Sequence, residues 1–229
     1  MEIRALTAED LPAWSRFRYR VAIEQLRRRS MPGVDHEAQA IGDALDVNAH
    51  AFGAFDGLRL IGGVRSHYCR DVPEHPLYAL YRLEDVSEEE RLATSVTTHL
   101  MVDQEWKGRG VALALCTHMY NYNVGNGIEY DRIDVLATNR PLFERMGYEA
   151  TGPAVERDGF GTVLPMRLEA CNLAHLKKCR SPFRRRYGNT HSSSYIRSSS
   201  SATAPSSFTL RQAGTVVDRK MAERTKQSS

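Results

Sequence analysis

The chain has 229 residues, 41% of them hydrophobic, enough to bury a substantial core with chain to spare. From Arg180 to Ser229 it is dominated by serine, arginine, threonine and glycine around SSSYIRSSSSATAPSS, too little apolar surface for a packed core. A folded part over 1–179 and a disordered basic tail over 180–229 are therefore expected.

Charge divides at the same place. The tail holds ten Lys/Arg against two acids and residues 1–179 hold 21 against 26, so the total of +3 combines a core of −5 with a tail of +8. Such a tail can attract any polyanion, although charge runs are usually just solvated, and no nucleic-acid or membrane partner is expected. Cys69, Cys116, Cys171 and Cys179 form no C-x-x-C pair, which argues against a zinc site or a disulfide framework and for reduced thiols. The opening MEIRALTAED carries acids where a signal peptide carries cations, and no apolar run reaches the roughly 18 residues of a bilayer span. A cytoplasmic protein is expected.

In chain order, EIRAL at 2–6 reads as a short strand, and Thr7 with Asp10 three residues later as a capping box opening a helix. Leu11, Trp14, Phe17, Val21 and Leu26 recur at helical spacing beside Arg16, Arg18, Arg20 and Arg27–Arg29, an amphipathic helix with one basic side that ends at MPG, 31–33. HAFGAF and LRLIGGVRSHY flank Asp56-Gly57, the pattern of a hairpin with a two-residue turn. Residues 71–93 read as a loop with a short helix, and 94–102 as a central strand. VALALCTHMYNYNV after Gly110 suits a helix. Tyr130–Ala137 reads as a strand, RPLFERMG as a short helix with Gly147 at its C-cap, and YEATG and FGTVLPMRLEA as final strands. This order predicts a mixed α/β sheet and excludes a doubly wound one.

Between the central strand and the following helix stands Lys107-Gly108-Arg109-Gly110-Val111-Ala112. Glycines let backbone N–H groups approach a phosphate closely, and the positive end of the helix dipole adds attraction. By itself such a run is more often an ordinary turn.

In its surroundings the run resembles the pyrophosphate loop of the GNAT N-acyltransferases, with Lys107 in the first position of Arg/Gln-x-x-Gly-x-Gly/Ala. HLMVDQEW is similar to that family's fourth strand and its exit, NRPLFERMGY (139–148) to its Asn…Tyr/Phe-x-x-x-Gly-Phe/Tyr motif, and IRALTAEDLPAW to its opening. The resemblance implies a mixed, mostly antiparallel sheet flanked by helices, and an acyl-CoA or acyl carrier protein (ACP) thioester as donor substrate, with no metal. It implies that Leu100 and Val102 offer backbone contacts to the pantetheine arm, that 107–112 hold its phosphate, and that Asn139 and Phe143 complete the donor site. Catalysis in the family is positioning, oxyanion stabilisation by a strand N–H, and removal of the ammonium proton. Many members carry a tyrosine where this chain has Phe143, which has no hydroxyl to protonate the leaving thiolate.

Arg18-Tyr19-Arg20-Val21, Asp43-x-x-Asp46 and Gly63-Val64-Arg65 resemble acyl-homoserine-lactone synthases and long-chain N-acyl amino acid synthases. That resemblance implies that Arg18, Asp43, Asp46 and Arg65 line or brace the amine side, where an aspartate pair and an arginine fork complement an amino acid; mutual structural pairing is the alternative. The Glu-x-Ser-Arg run of the lactone synthases is replaced by Val96, Thr98 and His99, which weakens that reading and makes His99 a candidate base. The ending PMRLEACNLAHLKKCRSPF is similar to the amino acid synthases. Arginines of the first helix, Arg27–Arg29 among them, and Lys177–Arg186 are suited to dock an acidic ACP.

The leading expectation is an N-acyltransferase moving a medium or long chain from acyl-ACP or acyl-CoA to an amino acid or similar small amine. An acetyl-CoA-dependent N-acetyltransferase and a non-catalytic thioester-binding module with a polyanion-binding tail are the alternatives.

Overall fold

The computed structural model describes residues 1–28, 31–72 and 74–184; the tail expected from 180 lies, beyond 184, outside the described residues. Strand β1 (Glu2–Ala5) leads to helix α1 (Leu11–Tyr19). Between them the Asp10 carboxylate accepts from the Thr7 backbone N–H at 2.8 Å and pairs with Arg4 at 2.7 Å. A π-type turn over Arg20–Gln25 continues the helix, closed by Leu26 N–H donating to the Val21 carbonyl. This wider turn shifts the side-chain register. Trp14, Phe17 and Val21 are therefore buried as their spacing predicts, while Leu26 is turned out and 43% exposed.

The small hairpin β2 (Val34–Asp35) and β3 (Ala40–Ile41) packs on α1, where the Ser15 hydroxyl donates to the Ile41 carbonyl at 2.7 Å. Strands β4 (His50–Asp56) and β5 (Arg59–Tyr68) form the expected hairpin. Its turn residues are Gly57 and Leu58, one later than the expected Asp-Gly, because Asp56 pairs with Arg59; Gly57 takes the positive φ of +57°. There follow α2 (Glu88–Leu92), β6 (Thr94–Val102), α3 (Val111–Gly125), β7 (Tyr130–Leu136), α4 (Arg140–Met146), β8 (Glu149–Ala150), β9 (Val155–Arg157), β10 (Gly161–Glu169) and α5 (Leu173–Lys178).

The main sheet runs β1-β4-β5-β6-β7-β10-β8, with β9 paired to β10. Every pairing is antiparallel except β6 with β7. This is the mixed sheet the sequence predicts. Successive residues of a strand face opposite sides, and β5 shows which helix covers which. A Cβ on Gly62 would meet Val111 of α3 at 2.8 Å, and one on Gly63 would meet Trp14 of α1 at 2.3 Å.

The folded part extends past the expected boundary at 179. Phe183 is 1% exposed and stacks on Tyr120 at 4.3 Å, and the buried Ser181 hydroxyl donates to the Met146 carbonyl at 2.6 Å. A single aromatic inside a Ser/Arg-rich run gives no periodicity, so composition alone assigned it to the tail.

Candidate functional site

The site begins where β6 leaves β7. The two strands pair only from Thr94↔Tyr130 to Val96↔Arg132 and then diverge, so beyond Val96 that edge of β6 has no strand partner among the described residues. Unpaired backbone groups of this kind require an outside partner. On its other edge β6 carries a bulge: Gly63 stands opposite Met101 but Arg65 opposite Thr98, and His99 takes a φ of +52°. Bulges bend a strand and re-aim its side chains. The divergence opens a cavity of about 610 Å³, lined by apolar side chains such as Met119, Ile133, Val135, Val163 and Leu168.

Leu100, Val102, Lys107, Gly108, Ala112, Asn139 and Phe143 all border this one cavity. Gly108 and Gly110 have φ of +74° and +80°, and a Cβ on either would meet nothing; the loop exposes backbone at the head of the 15-residue α3, where the first N–H groups have no partner within the helix. Arg109 and Gly110 do not line the cavity, and Arg109 lies over the Trp106 ring at 5.3 Å. The Val111 side chain is 1% exposed and packs toward β4 and β5, so it does not line the cavity. Phe143 packs edge-on against Tyr148 at 5.5 Å.

The charged set expected on the amine side is gathered into one cluster. The Arg18 guanidinium forms a two-pronged pair with Asp46, and Arg65 lies 2.7 Å from Asp46 and 2.8 Å from Asp43. Both arginines are buried, at 1% and 3% side-chain exposure. Arg65 Nε also donates to Thr98 Oγ1 at 3.1 Å, and His99 Nε2 stands 3.8 Å from Asp43. Arg65 and His99 border the cavity, whereas Arg18, Asp43 and Asp46 stand behind them. The cluster thus clasps the β6 bulge from outside. Burial raises the Asp43 carboxyl, but the contacts with His99 and Arg65 outweigh it and hold the group well below the usual carboxylate range. Burial pushes the His99 imidazole down to about 4, and Arg65 and Arg18 add to this against the pull of Asp43. His99 Nδ1 is buried without a hydrogen-bond partner among the described residues.

Two residues border the cavity in places that their sequence context does not indicate. Asp131 sits on β7 at the point of divergence and accepts from Ser95 at 2.6 Å, Thr97 at 2.8 Å and Tyr148 at 2.5 Å. Burial raises its carboxyl to about 6 despite these hydrogen bonds. Arg28, expected on a docking surface, turns inward: its Nη1 donates to the Gly159 carbonyl at 2.9 Å and its guanidinium lies over Phe160 at 5.2 Å. Of its neighbours in that expected surface, Arg29 lies outside the described residues and Arg27 is exposed.

Among the described residues, no group of three His, Cys, Asp or Glu is arranged to hold a metal ion, and no helix is long and apolar enough to cross a membrane.

Residues 88–170 match the family model described as an acetyltransferase (GNAT) domain. No curated protein matches the chain in sequence. Among solved structures, the fold is similar to that of MesI, a CoA-dependent acyl-homoserine lactone synthase, at 18% identity and a TM-score of 0.60, covering 82% of this chain and 95% of that one. It is similar to FeeM, an N-acyl amino acid synthase from uncultured soil microbes, at 15% identity and 0.61, covering 80% and 96%. It is also similar to BjaI, a CoA-dependent acyl-homoserine lactone synthase solved with SAM and isopentyl-CoA, at 13% identity and 0.61, covering 79% and 90%.

Proposed function

We propose that this chain, whose residues 88–170 match an acetyltransferase (GNAT) domain, is an N-acyltransferase that moves a medium or long acyl group from acyl-CoA or acyl-ACP to the amine of an amino acid or similar small molecule. One observation carries the reading: an apolar cavity of about 610 Å³ opens where β6 and β7 part, with the glycine loop on its border. That volume lies within the roughly 300–1,000 Å³ range of small-molecule sites and exceeds the need of a two-carbon acyl group.

In this reading the pantetheine arm lies along the unpaired edge of β6, with Leu100 and Val102 as its backbone partners. The donor phosphate sits at Gly108–Ala112, where N–H groups and the helix dipole favour an anion. The acceptor nitrogen, as free amine, attacks the thioester carbonyl carbon. A C–N bond forms and the carbonyl oxygen takes negative charge, stabilised by a β6 N–H. The C–S bond then breaks and the thiolate takes its proton from water, since Phe143 offers none. His99, neutral at neutral pH because burial holds it near 4, accepts a hydrogen bond from the attacking amine and relays its proton to solvent. Arg18, Asp43, Asp46 and Arg65, already paired with one another, are positioning residues that fix the bulge carrying His99.

The test is mass spectrometry of products from a ladder of acyl-CoA and acyl-ACP donors, two to sixteen carbons long, against pooled amino acids. N-acylated amino acids that increase with chain length are expected. Product from acetyl-CoA alone would replace this reading with a small-acyl one, and no product from any donor would remove it.

A further inference from the structure

We propose that Arg28 is the anchor for an anionic group on the acceptor, and that the enzyme selects acceptors carrying a carboxylate. This rests on the N-acyl-transfer reading of the same cavity and adds to it the residue that reads the acceptor.

Four arginines border or back the site, and three already have carboxylate partners. Arg18 and Arg65 are paired with Asp46 and Asp43, and Arg157 is paired with Asp134. Arg28 is the exception. Among the described residues no carboxylate lies within ion-pair distance of it; its recorded partners are the Gly159 carbonyl and, at 3.5 Å, the Met31 sulfur. Neither partner is an anion, and the one acid whose charge acts on it, Asp134, is already paired with Arg157.

The side chain is nevertheless held in place. Phe160 lies against the guanidinium of Arg28 at 5.2 Å and that of Arg157 at 3.9 Å, a cation–π arrangement that fixes both groups. Arg28 borders the main cavity and also the hollow beside it, which Leu26, Leu136 and Phe160 share. The π-type turn that expels Leu26 from the helix stripe brings both residues here. Burial, then the charge of Arg157, lowers the Arg28 affinity for its proton against the pull of Asp134; an anion bound beside it offsets that penalty. A planar guanidinium fork is suited to grip a carboxylate through two hydrogen bonds.

An amino acid held by its carboxylate at Arg28 presents its amine within the cavity that His99 and Leu100 also border. An amine lacking the carboxylate leaves Arg28 half-buried without an anionic partner.

The experiment compares an amino acid with its carboxamide, which is similar in size and uncharged, on the full chain and on Arg28→Gln and Arg28→Lys. For the unaltered chain the acid should exceed the amide by roughly 100-fold in kcat/KM, the order expected when a hydrogen-bonded buried charge loses its partner. Arg28→Gln should lose that preference, with kcat/KM for the acid falling far more than that for the amide, and Arg28→Lys should recover part of it. Calorimetric binding of the N-acyl amino acid against its N-acyl amide supplies a second readout without turnover. Turnover with equal use of acid and amide overturns the anchor and leaves acyl transfer standing. Binding that prefers the acid at Arg28 without turnover keeps the anchor and removes the acyl-transfer reading, and neither binding nor turnover removes both.

Discussion

The Arg65 guanidinium lies 2.7 Å from the Asp46 carboxylate, and both are nearly withdrawn from solvent, at 3% and 11% side-chain exposure. Asp46 also receives the fork of Arg18, 1% exposed. One carboxylate therefore compensates two buried cations. Asp46→Asn should destabilise the fold by about 3–5 kcal/mol, the cost of leaving buried charge unpaired. Asp43→Asn, at a site 28% exposed whose partner Arg65 keeps Asp46, should cost less than this, but more than an exposed pair, because its contacts hold the Asp43 carboxyl well below the usual range. Denaturant unfolding of the two variants checks the ranking, and equal losses would contradict it.

His99 and Asp131 drive stability in opposite directions with pH. The His99 imidazole is held down to about 4 from its ordinary 6.5. Between those values the unfolded chain binds the proton and the folded one does not, so its contribution is complete above 6.5 and is lost as pH falls toward 4. Replacing it by Asn, which tolerates a positive φ, should flatten the acid limb of the stability curve. An NMR titration should find the His99 ring neutral at pH 5.5.

Asp131 is raised to about 6 from 3.8. There the folded chain keeps its proton after the unfolded chain has lost it, so stability falls as pH rises through that window and remains lower above it. The stability of Asp131→Asn relative to the unaltered chain should rise by about 2.5 kcal/mol between pH 4 and pH 7.5. Chemical denaturation at the two pH values checks this, and a constant difference would show that the carboxyl titrates normally.

Gly63 is the point where α1 touches the sheet, with Trp14 Cζ3 2.3 Å from where a Cβ would stand. Trp14 is fully buried and cannot move aside freely. Gly63→Ala should therefore cost about 1–3 kcal/mol through overpacking. Unfolding midpoints test it, and Gly108→Ala is not a control, because its φ is positive.

A chain ending at residue 184 should be more stable than one ending at 179 by about 3 kcal/mol. The longer form keeps the Phe183 ring on Tyr120 and the Ser181 hydrogen bond to Met146, and burying a Phe side chain is worth about 1.5–3 kcal/mol before stacking is added. Thermal melts of the two forms decide the matter.

Features set by local spacing were legible in the sequence. Trp14, Phe17 and Val21 declare their face of α1 at a regular period, and Gly110 before VALALC declares the head of α3. Other features depended on contacts that no spacing encodes. Leu26 follows the helical stripe in sequence but leaves it in space, because the π-type turn inserts an extra residue before it. Arg28 stands in a run of three arginines and reads as part of a basic docking face until Phe160, more than a hundred residues later, is seen against it. Asp131 in YDRIDVL reads as the polar half of an alternation, yet the parting of β6 and β7 encloses it with Ser95, Thr97 and Tyr148. Asp43, Asp46, Arg18 and Arg65 were identified as a set, and their geometry favours bracing over direct contact with substrate.

The parting of β6 and β7 also bears on cohesion. Only three paired residues on each side join β1, β4, β5 and β6 to β7, β10 and their neighbours, and Leu100 packs against the core clusters of both halves. Such a seam divides a domain into cooperative units that open at different free energies. Amide exchange should accordingly be slowest within β4–β5 and within β7–β10, and faster along β6 beyond Val96. In the acyl-transfer reading proposed above, a thioester lying in the gap would hydrogen-bond to one half and pack on the other, as a removable strand. Its binding would fasten the two halves together by mass action, and each release of the spent carrier would unfasten them again.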